Sequence, residues 1–248
     1  LTQTTLYRRV ETDAVCGSVY SNTITKTVYE VLSEPTVTTS EISSCYNTTP
    51  VPITVSSANG GNGSFTYLWQ SSQNYASWSD ISSSKNNLTY QPPALTATTY
   101  YRLKATSDYG CGSVYSDVIT ISVYDALKAP AISTVDQQVC YNTTPETLKA
   151  SAATGGNESF TYSWQKSTNN SSWSDIPSSN ALSYSPGQLT QTTYYRLRAV
   201  AEKGCGTVYS NTLKVTVYAD LSSPVISGLN QQICYNAVPA LLSASAAS

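Results

Sequence analysis

"CGSVYSDVITISVY" occupies 111–124, and the chain writes almost the same words twice more, as "CGSVYSNTITKTVY" from Cys16 and "CGTVYSNTLKVTVY" from Cys205. Within the first of these, Ile119, Ile121 and Val123 alternate with Thr120 and Ser122. The third copy sets Leu213, Val215 and Val217 against Lys214 and Thr216. A period of two is the signature of a strand with one buried face. The phrase therefore reads as a hairpin that runs into the last strand of a β-domain, with a cysteine at its head.

Working outward, the rest of the domain repeats with it. Cys16, Cys111 and Cys205 are 95 and 94 residues apart, and Cys45, Cys140 and Cys234 follow the same two intervals. Trp69 and Trp78 return as Trp164 and Trp173, each after 95 residues. "CYNTTP" stands at Cys45 and Cys140 and becomes "CYNAVP" at Cys234, while "LTATTYYRLKA" at Leu95 becomes "LTQTTYYRLRA" at Leu189. A period of this length is too long for a helical solenoid unit and suits a whole sandwich domain.

The boundaries fall at "YEVLSEP", "YDALKAP" and "YADLSSP", short polar connectors ending in Pro. The division is then 1–29, the C-terminal part of one repeat; 30–124 and 125–218, two complete repeats; and 219–248, the start of another. Linkers this short do not allow freely tumbling beads, so neighbouring repeats of the chain are expected to touch. The opening residues match the interior of later repeats, and the chain reads as a slice of a longer protein.

The other segments support an all-β, antiparallel reading. In "FTYSWQ", Phe160, Tyr162 and Trp164 share one face; in "YYRLKA", Tyr101, Leu103 and Ala105 point one way and Tyr100, Arg102 and Lys104 the other. Gly-Gly-Asn and Ser-Asn clusters supply turn chemistry between strands, and no apolar run has helical spacing. The order of strands, with a tryptophan on the third, resembles an immunoglobulin-like sandwich. Trp69 and Trp164 are then the core tryptophans, and Tyr101 and Tyr195 the core tyrosines of the sixth strand. The usual inter-sheet cysteines are replaced, by Ala150 and Leu197 in the second complete repeat. The first partial copy breaks the pattern, with Arg9 at the inward slot of Leu103 and Lys26 at that of Ile121.

Composition narrows function. The chain has 248 residues, 13 Lys and Arg against 15 Asp and Glu, and no histidine. A near-neutral balance gives no clustered cation for nucleic acid. No apolar run approaches the ~18 residues of a membrane-spanning helix. Without histidine the usual general acid–base group is missing, and no catalytic or cofactor-binding residue is nominated. Asp80 and Asp175 in "WSDI" recur singly at matching places and read as turn caps. The "GGNGS" and "GGNES" stretches lack the Lys and helix of a phosphate loop and read as turns. Glu30, Glu34, Asp125 and Asp220 near the linkers lack a calcium-loop pattern, so no metal site is assigned. Trp78 and Trp173 are the possible surface-contact aromatics, with core or sheet-edge packing as the plainer role.

The six cysteines, Cys16, Cys45, Cys111, Cys140, Cys205 and Cys234, have neither C-x-x-C spacing nor histidine partners. They read as structural disulfides of an oxidising compartment. Their connectivity stays open between three schemes: within repeats (Cys45–Cys111, Cys140–Cys205), across linkers (Cys16–Cys45, Cys111–Cys140), and from one repeat to the next (Cys45–Cys205).

"CYNTTP", "TYSWQKSTNNSSWSDI", "SYSPGQLTQTTYYR" and "CGTVYSNTLKVTVY" together resemble the repeats of SprB-like giant surface adhesins of gliding Bacteroidota, over nearly the whole chain. That resemblance implies export by the type IX route and display as a long filament attached at the outer membrane. It implies movement by the gliding machinery through other regions, and contact with a surface polysaccharide or other substratum. Two other readings remain: a glycan-binding module array using exposed aromatics, and a spacer region of a secreted multidomain enzyme.

Overall fold

The computed structural model describes all residues except 39, 40, 229, 247 and 248. The chain divides into two units, Leu1–Ala126 and Leu127–Ser248.

In the first unit the alternating segments become β1 (Glu41–Ser44), β2 (Ile53–Thr54), β3 (Phe65–Ser72), β4 (Ser79–Asp80), β5 (Thr89–Tyr90), β6 (Thr99–Ser107), β7 (Ser113–Tyr115) and β8 (Ile119–Val123). One sheet has the order β4-β3-β6-β8-β1, with β7 also on β6. Every pairing in it is antiparallel except β8 with β1, which run parallel with Ile121 opposite Ile42. The facing sheet pairs β2 with β5, Ile53 opposite Tyr90, and gains an edge through the Val37–Val55 bridge. Residue 37 thus lies in one sheet and 41–44 in the other.

The second unit repeats this with β9 (Gln137–Cys140), β10 (Leu148–Lys149), β11 (Phe160–Ser167), β12 (Ser174–Asp175), β13 (Ser183–Tyr184), β14 (Thr193–Ala201), β15 (Gly206–Tyr209) and β16 (Leu213–Tyr218). Its order is β12-β11-β14-β16-β9 with β15 on β14, facing β10-β13 and the Ile132–Ala150 bridge. Helix is confined to three single 3-10 turns among the described residues. Two sheets, antiparallel but for one edge pairing in the larger, pack over a third-strand tryptophan and make each repeat an immunoglobulin-like sandwich.

The core follows the alternation. Trp69, Leu103, Ile119 and Ile121 are wholly buried with Ile53, as are Trp164, Leu197, Leu148 and Val215 in the second repeat. A buried indole N–H must find an acceptor; that of Trp69 donates to the Asn87 carbonyl and that of Trp164 to the Ala181 carbonyl, both at 2.9 Å. Tyr101 and Tyr195 are buried beside them, and burial, with Tyr90 or Tyr184 close by, pushes each phenol up to about 12.

The thrice-written phrase now has a mechanical reason. Between β7 and β8 the chain steps sideways, and Ser116 bridges the gap. Its Oγ accepts from Leu103 N–H and its own N–H donates to the Leu103 carbonyl, both at 2.9 Å. Ser210 does the same with Leu197 at 2.8 and 2.9 Å, and Ser21 with Arg9 at 2.9 Å for both bonds. The serine of "VYS" stitches a break in the ladder that would otherwise leave two backbone groups unpaired.

In the partial copy, Thr5–Tyr7 pairs with Ile24–Lys26 and Val10–Asp13 with Gly17–Tyr20. Arg9 and Lys26 are exposed there. The linker before the first complete repeat is itself a strand: Glu30–Ser33 pairs with Asn59–Gly61. That corrects the reading of "GGN" as a plain turn and of "YEVLSEP" as a plain connector. Gly60 has φ +86°, and a Cβ on it would lie 2.1 Å from the Val31 carbonyl oxygen. Only glycine lets the linker backbone come so close.

Candidate functional site

The outward face of the larger sheet carries the polar side chains that alternation turns away from the core. At its centre in the first repeat is Arg102 on β6. Its guanidinium carbon lies 4.2 Å from the centroid of Trp78, just before β4, and 4.2 Å from that of Tyr115 on β7. The cation is thus held between two rings. Its Nε–H donates to Gln70 Oε1 at 2.8 Å, and Gln70 Nε2–H donates to Asp80 Oδ1 at 2.6 Å. The amide is buried, so its orientation is fixed by the carboxylate on one side and the guanidinium on the other.

The second repeat builds the same group from equivalent residues. Arg196 lies 4.3 Å from Trp173 and 4.1 Å from Tyr209. Its Nε–H donates to Gln165 Oε1 at 2.7 Å, and Gln165 Nε2–H donates to Asp175 Oδ1 at 2.7 Å. Asp175 also pairs with Arg198 at 3.1 Å, where the first repeat has Lys104. Even the partial copy keeps a remnant: Arg8 lies 4.2 Å over Tyr20.

This places Trp78 and Trp173 half-buried on the outer face, each stacked on an arginine. Asp80 and Asp175 orient glutamines and do not cap turns, which corrects the sequence expectation. Arg102, Arg196, Gln70 and Gln165 had not been nominated. The signal was present: an arginine follows "YY" or "LY" in all three copies, and a glutamine follows the core tryptophan in both complete ones. Trp69, Trp164, Tyr101 and Tyr195 lie in the two cores.

The loop after β3 is the other notable feature. Asn74 Oδ1 accepts from the N–H groups of Ala76 and Ser77 at 3.0 and 2.9 Å, and Asn169 Oδ1 does so from Ser171 and Ser172 at 2.9 and 2.8 Å. The apex residue is left-handed in both: Asn170 with φ 55°, and Tyr75 with φ 63°. Asparagine tolerates that conformation and tyrosine does not favour it. Tyr75 is 59% exposed and sets its ring edge-on to Tyr100 at 5.2 Å and Trp78 at 6.2 Å. At matching places each repeat also has a shallow cleft, of about 450 Å³ by Gln73, Ser77 and Tyr101 and about 520 Å³ by Lys166, Ser172 and Tyr195.

The six cysteines were all expected in disulfides. Cys45 and Cys205 are disulfide-bonded, whereas Cys16, Cys111, Cys140 and Cys234 are exposed thiols in this chain. Both within-repeat pairs are therefore unmade, as are both pairs across linkers. Among the described residues no three of His, Cys, Asp and Glu cluster as metal ligands, and no helix is long and apolar enough to cross a membrane.

A family described as "Domain of unknown function (DUF8696)" matches at residues 34–125 and again at 129–219. The chain belongs to this family. Its two tandem DUF8696 copies are about 90 residues each. No curated protein matches the chain. Among solved structures it is similar to titin domains A168–A170, at 17% identity and TM-score 0.42, covering 86% of this chain and 75% of that one. It is similar also to Sidekick-1 immunoglobulin domains 1–5, at 16% identity and TM-score 0.34, covering 88% of this chain and 46% of that one. The immunoglobulin-like assignment rests on the strand order itself. Tandem repeats of this kind suggest a structural or adhesive module, and a disulfide-bearing all-β chain fits an extracellular protein.

Proposed function

We propose that the chain is a structural and adhesive segment of a long cell-surface filament, a mobile adhesin for gliding exported by the type IX route. The observation that carries the scaffold part is the repeated outer face. Its arginine, glutamine, aspartate, tryptophan and tyrosine bind one another in the same way in both repeats. Groups engaged in this way brace a domain, and what recurs along the chain is the brace. The resemblance to SprB-like repeats supplies the filament and its motion. Antibody raised against the chain and applied to intact living cells of the producing bacterium tests both. Labelled filaments that travel along the cell are expected; label only on lysed cells would sink the surface assignment, and static label would sink the motility.

A second reading, a glycan-contacting array, is favoured by Tyr75 alone: an exposed ring on unfavourable backbone beside Trp78 and Tyr100. Affinity electrophoresis through gels containing soluble polysaccharides tests it. Retardation lost in Trp78→Ala would favour this reading, and unretarded migration in every gel would dismiss it.

A further inference from the structure

The cleft beside the loop after β3 and its counterpart after β11 are built alike, each within its own repeat. Tyr101, Ser72 and Thr99 form the buried floor of the first, and Tyr195, Ser167 and Thr193 that of the second. The serine and threonine hydroxyls are spent. Ser72 Oγ–H donates to Asn74 Oδ1 at 3.1 Å, and Thr99 Oγ1–H to the Ala97 carbonyl at 2.9 Å. Ser167 does so with Asn169 at 3.0 Å, and Thr193 with the Gln191 carbonyl at 2.9 Å.

The tyrosine hydroxyls are not spent. In an immunoglobulin-like sandwich the phenol at this place bonds back to the backbone a few residues upstream. Here that backbone is engaged by the "CYNTTP" turn. Leu95 N–H donates to the Thr48 carbonyl at 3.2 Å, and the Leu95 carbonyl accepts from Asn47 N–H at 2.7 Å. Leu189 is held likewise by Thr143 and Asn142, at 3.0 and 2.8 Å. Tyr101 and Tyr195 are each 2% exposed, and their hydroxyls have no hydrogen-bond partner among the described residues. Neither hydroxyl is sealed in, for the fully covered side-chain polar atoms without a partner there are Asn157 Oδ1 and Arg198 Nε. The opening that each tyrosine lines is its cleft. Held at about 12, both phenols stay protonated, neutral groups able to donate and to accept.

The walls decide what chemistry fits. Ser77, Ser79 and Gln73 line the first cleft, and Ser172, Ser174 and Thr168 the second. Among the described residues no charged group lines the first, and Leu95 is its one aliphatic side chain. Hydroxyls and amides both donate and accept, which matches the hydroxyls of a sugar and offers nothing to balance an ion. Volumes of about 450 and 520 Å³ lie in the range of small-ligand sites. One wall differs: Lys166 stands in the second cleft where Ser71 stands in the first. Its ammonium is in no ion pair, the one such pair among the described residues being Arg198 with Asp175.

We propose that each cleft is a sugar subsite, holding one residue of a polysaccharide chain: a neutral sugar in the first repeat and, through Lys166, an acidic one in the second. The ligand class is that of the glycan-contacting reading above, but the residues are different, so either can fail alone.

The test is saturation-transfer NMR on the whole chain, with a malto-oligosaccharide as the neutral probe and an oligogalacturonate as the acidic one. Transfer to both is expected. Tyr101→Phe combined with Tyr195→Phe removes two hydroxyls and keeps both rings packed, so the fold should hold by circular dichroism. Binding of both probes should weaken about threefold to tenfold, the worth of one hydrogen bond. Lys166→Ser should weaken the oligogalacturonate alone, about twofold to fivefold, the worth of an exposed charge pair. Absence of transfer to both probes would overturn the proposal, as would unchanged binding in the double variant. Unchanged binding there, together with loss in Trp78→Ala and Trp173→Ala, would leave the outer rings as the glycan contact instead.

Discussion

Each repeat has two tryptophans nine residues apart, and they do opposite work. Trp164 is wholly buried, its N–H spent on a backbone carbonyl, and both sheets pack on it. Trp173 is half-buried on the far side of the same sheet and covers one guanidinium. The pair shows that an immunoglobulin-like sheet is organised on both faces: inside by exclusion of water, outside by a stack of cation and rings that stays partly wet. The largest expected effect separates them. Trp164→Ala should lower the stability of its repeat by about 3–5 kcal/mol, the usual cost of emptying a buried aromatic site. Trp173→Ala should cost about 1 kcal/mol, in the range of a partly exposed cation–π contact. Urea unfolding followed by tryptophan fluorescence and circular dichroism reads both. Equal losses would mean that the outer stack is a second core.

A test confined to the inner face comes from Tyr101 and Tyr195. Burial lifts both phenols from 10.0 to about 12 in the folded chain. A group held neutral by the fold contributes its stability below the unfolded value and loses it as pH rises through the folded one. Stability should therefore be flat up to about pH 10 and decline between 10 and 12. Tyr195→Phe should flatten that decline in the second repeat. Thermal melts across the interval, with tyrosinate absorbance as a second signal, would show it; an unchanged slope in the variant would mean the phenol is not shielded.

The outer face breaks more gently. Arg196→Ala removes both ring contacts and leaves Gln165 Oε1 without its donor, in an amide only 6% exposed. A loss of about 1–2 kcal/mol is expected, between the price of a contact and that of an orphaned buried acceptor. Arg196→Lys keeps the charge but not the planar group that lies between rings, so it should recover less than half of the loss. Full recovery by lysine would reduce the stack to simple charge attraction. Because Asp175 binds through Gln165, Gln165→Leu should behave like Arg196→Ala, and additivity of the two would disprove the relay.

How far these two faces could be read in the sequence differs for a physical reason. Alternation has a period of two and marks inward residues such as Ile119, Trp164, Leu213 and Val215, so the sandwich, its repeats and its core tryptophans were legible. The outer stack joins Gln165, Arg196 and Tyr209 on three strands with Trp173 just before a fourth, through side-chain directions that alternation leaves open. It is a cross-strand property, and spacing along one strand does not encode it. Ser116 and Ser210 were hidden similarly, since a ladder break is visible only once both strands are laid side by side. The linker strand was missed because Pro and glycine signalled irregular chain, whereas Gly60 serves the close approach of two backbones. The cysteines were legible as a framework but not in their state, because the same turn and the same hairpin occur bonded and free.

The smallest expected effect concerns the place where the two repeats differ most in chemistry. Tyr75 pays for left-handed backbone that Asn170 adopts readily, and in return its ring meets Tyr100 and Trp78. The first effect is worth about 1 kcal/mol for a non-glycine residue, and two partly exposed edge-on contacts return about as much. Tyr75→Asn should therefore move the stability of the first repeat by less than about 0.5 kcal/mol in either direction. A loss above about 1.5 kcal/mol in urea unfolding would make the aromatic trio part of the brace, continuous with Arg102. A near-zero change would leave an exposed ring that stability does not require, and binding would then be the reason for its presence. The same variant in the polysaccharide gels decides that point, because it removes the ring while leaving Trp78 on its arginine.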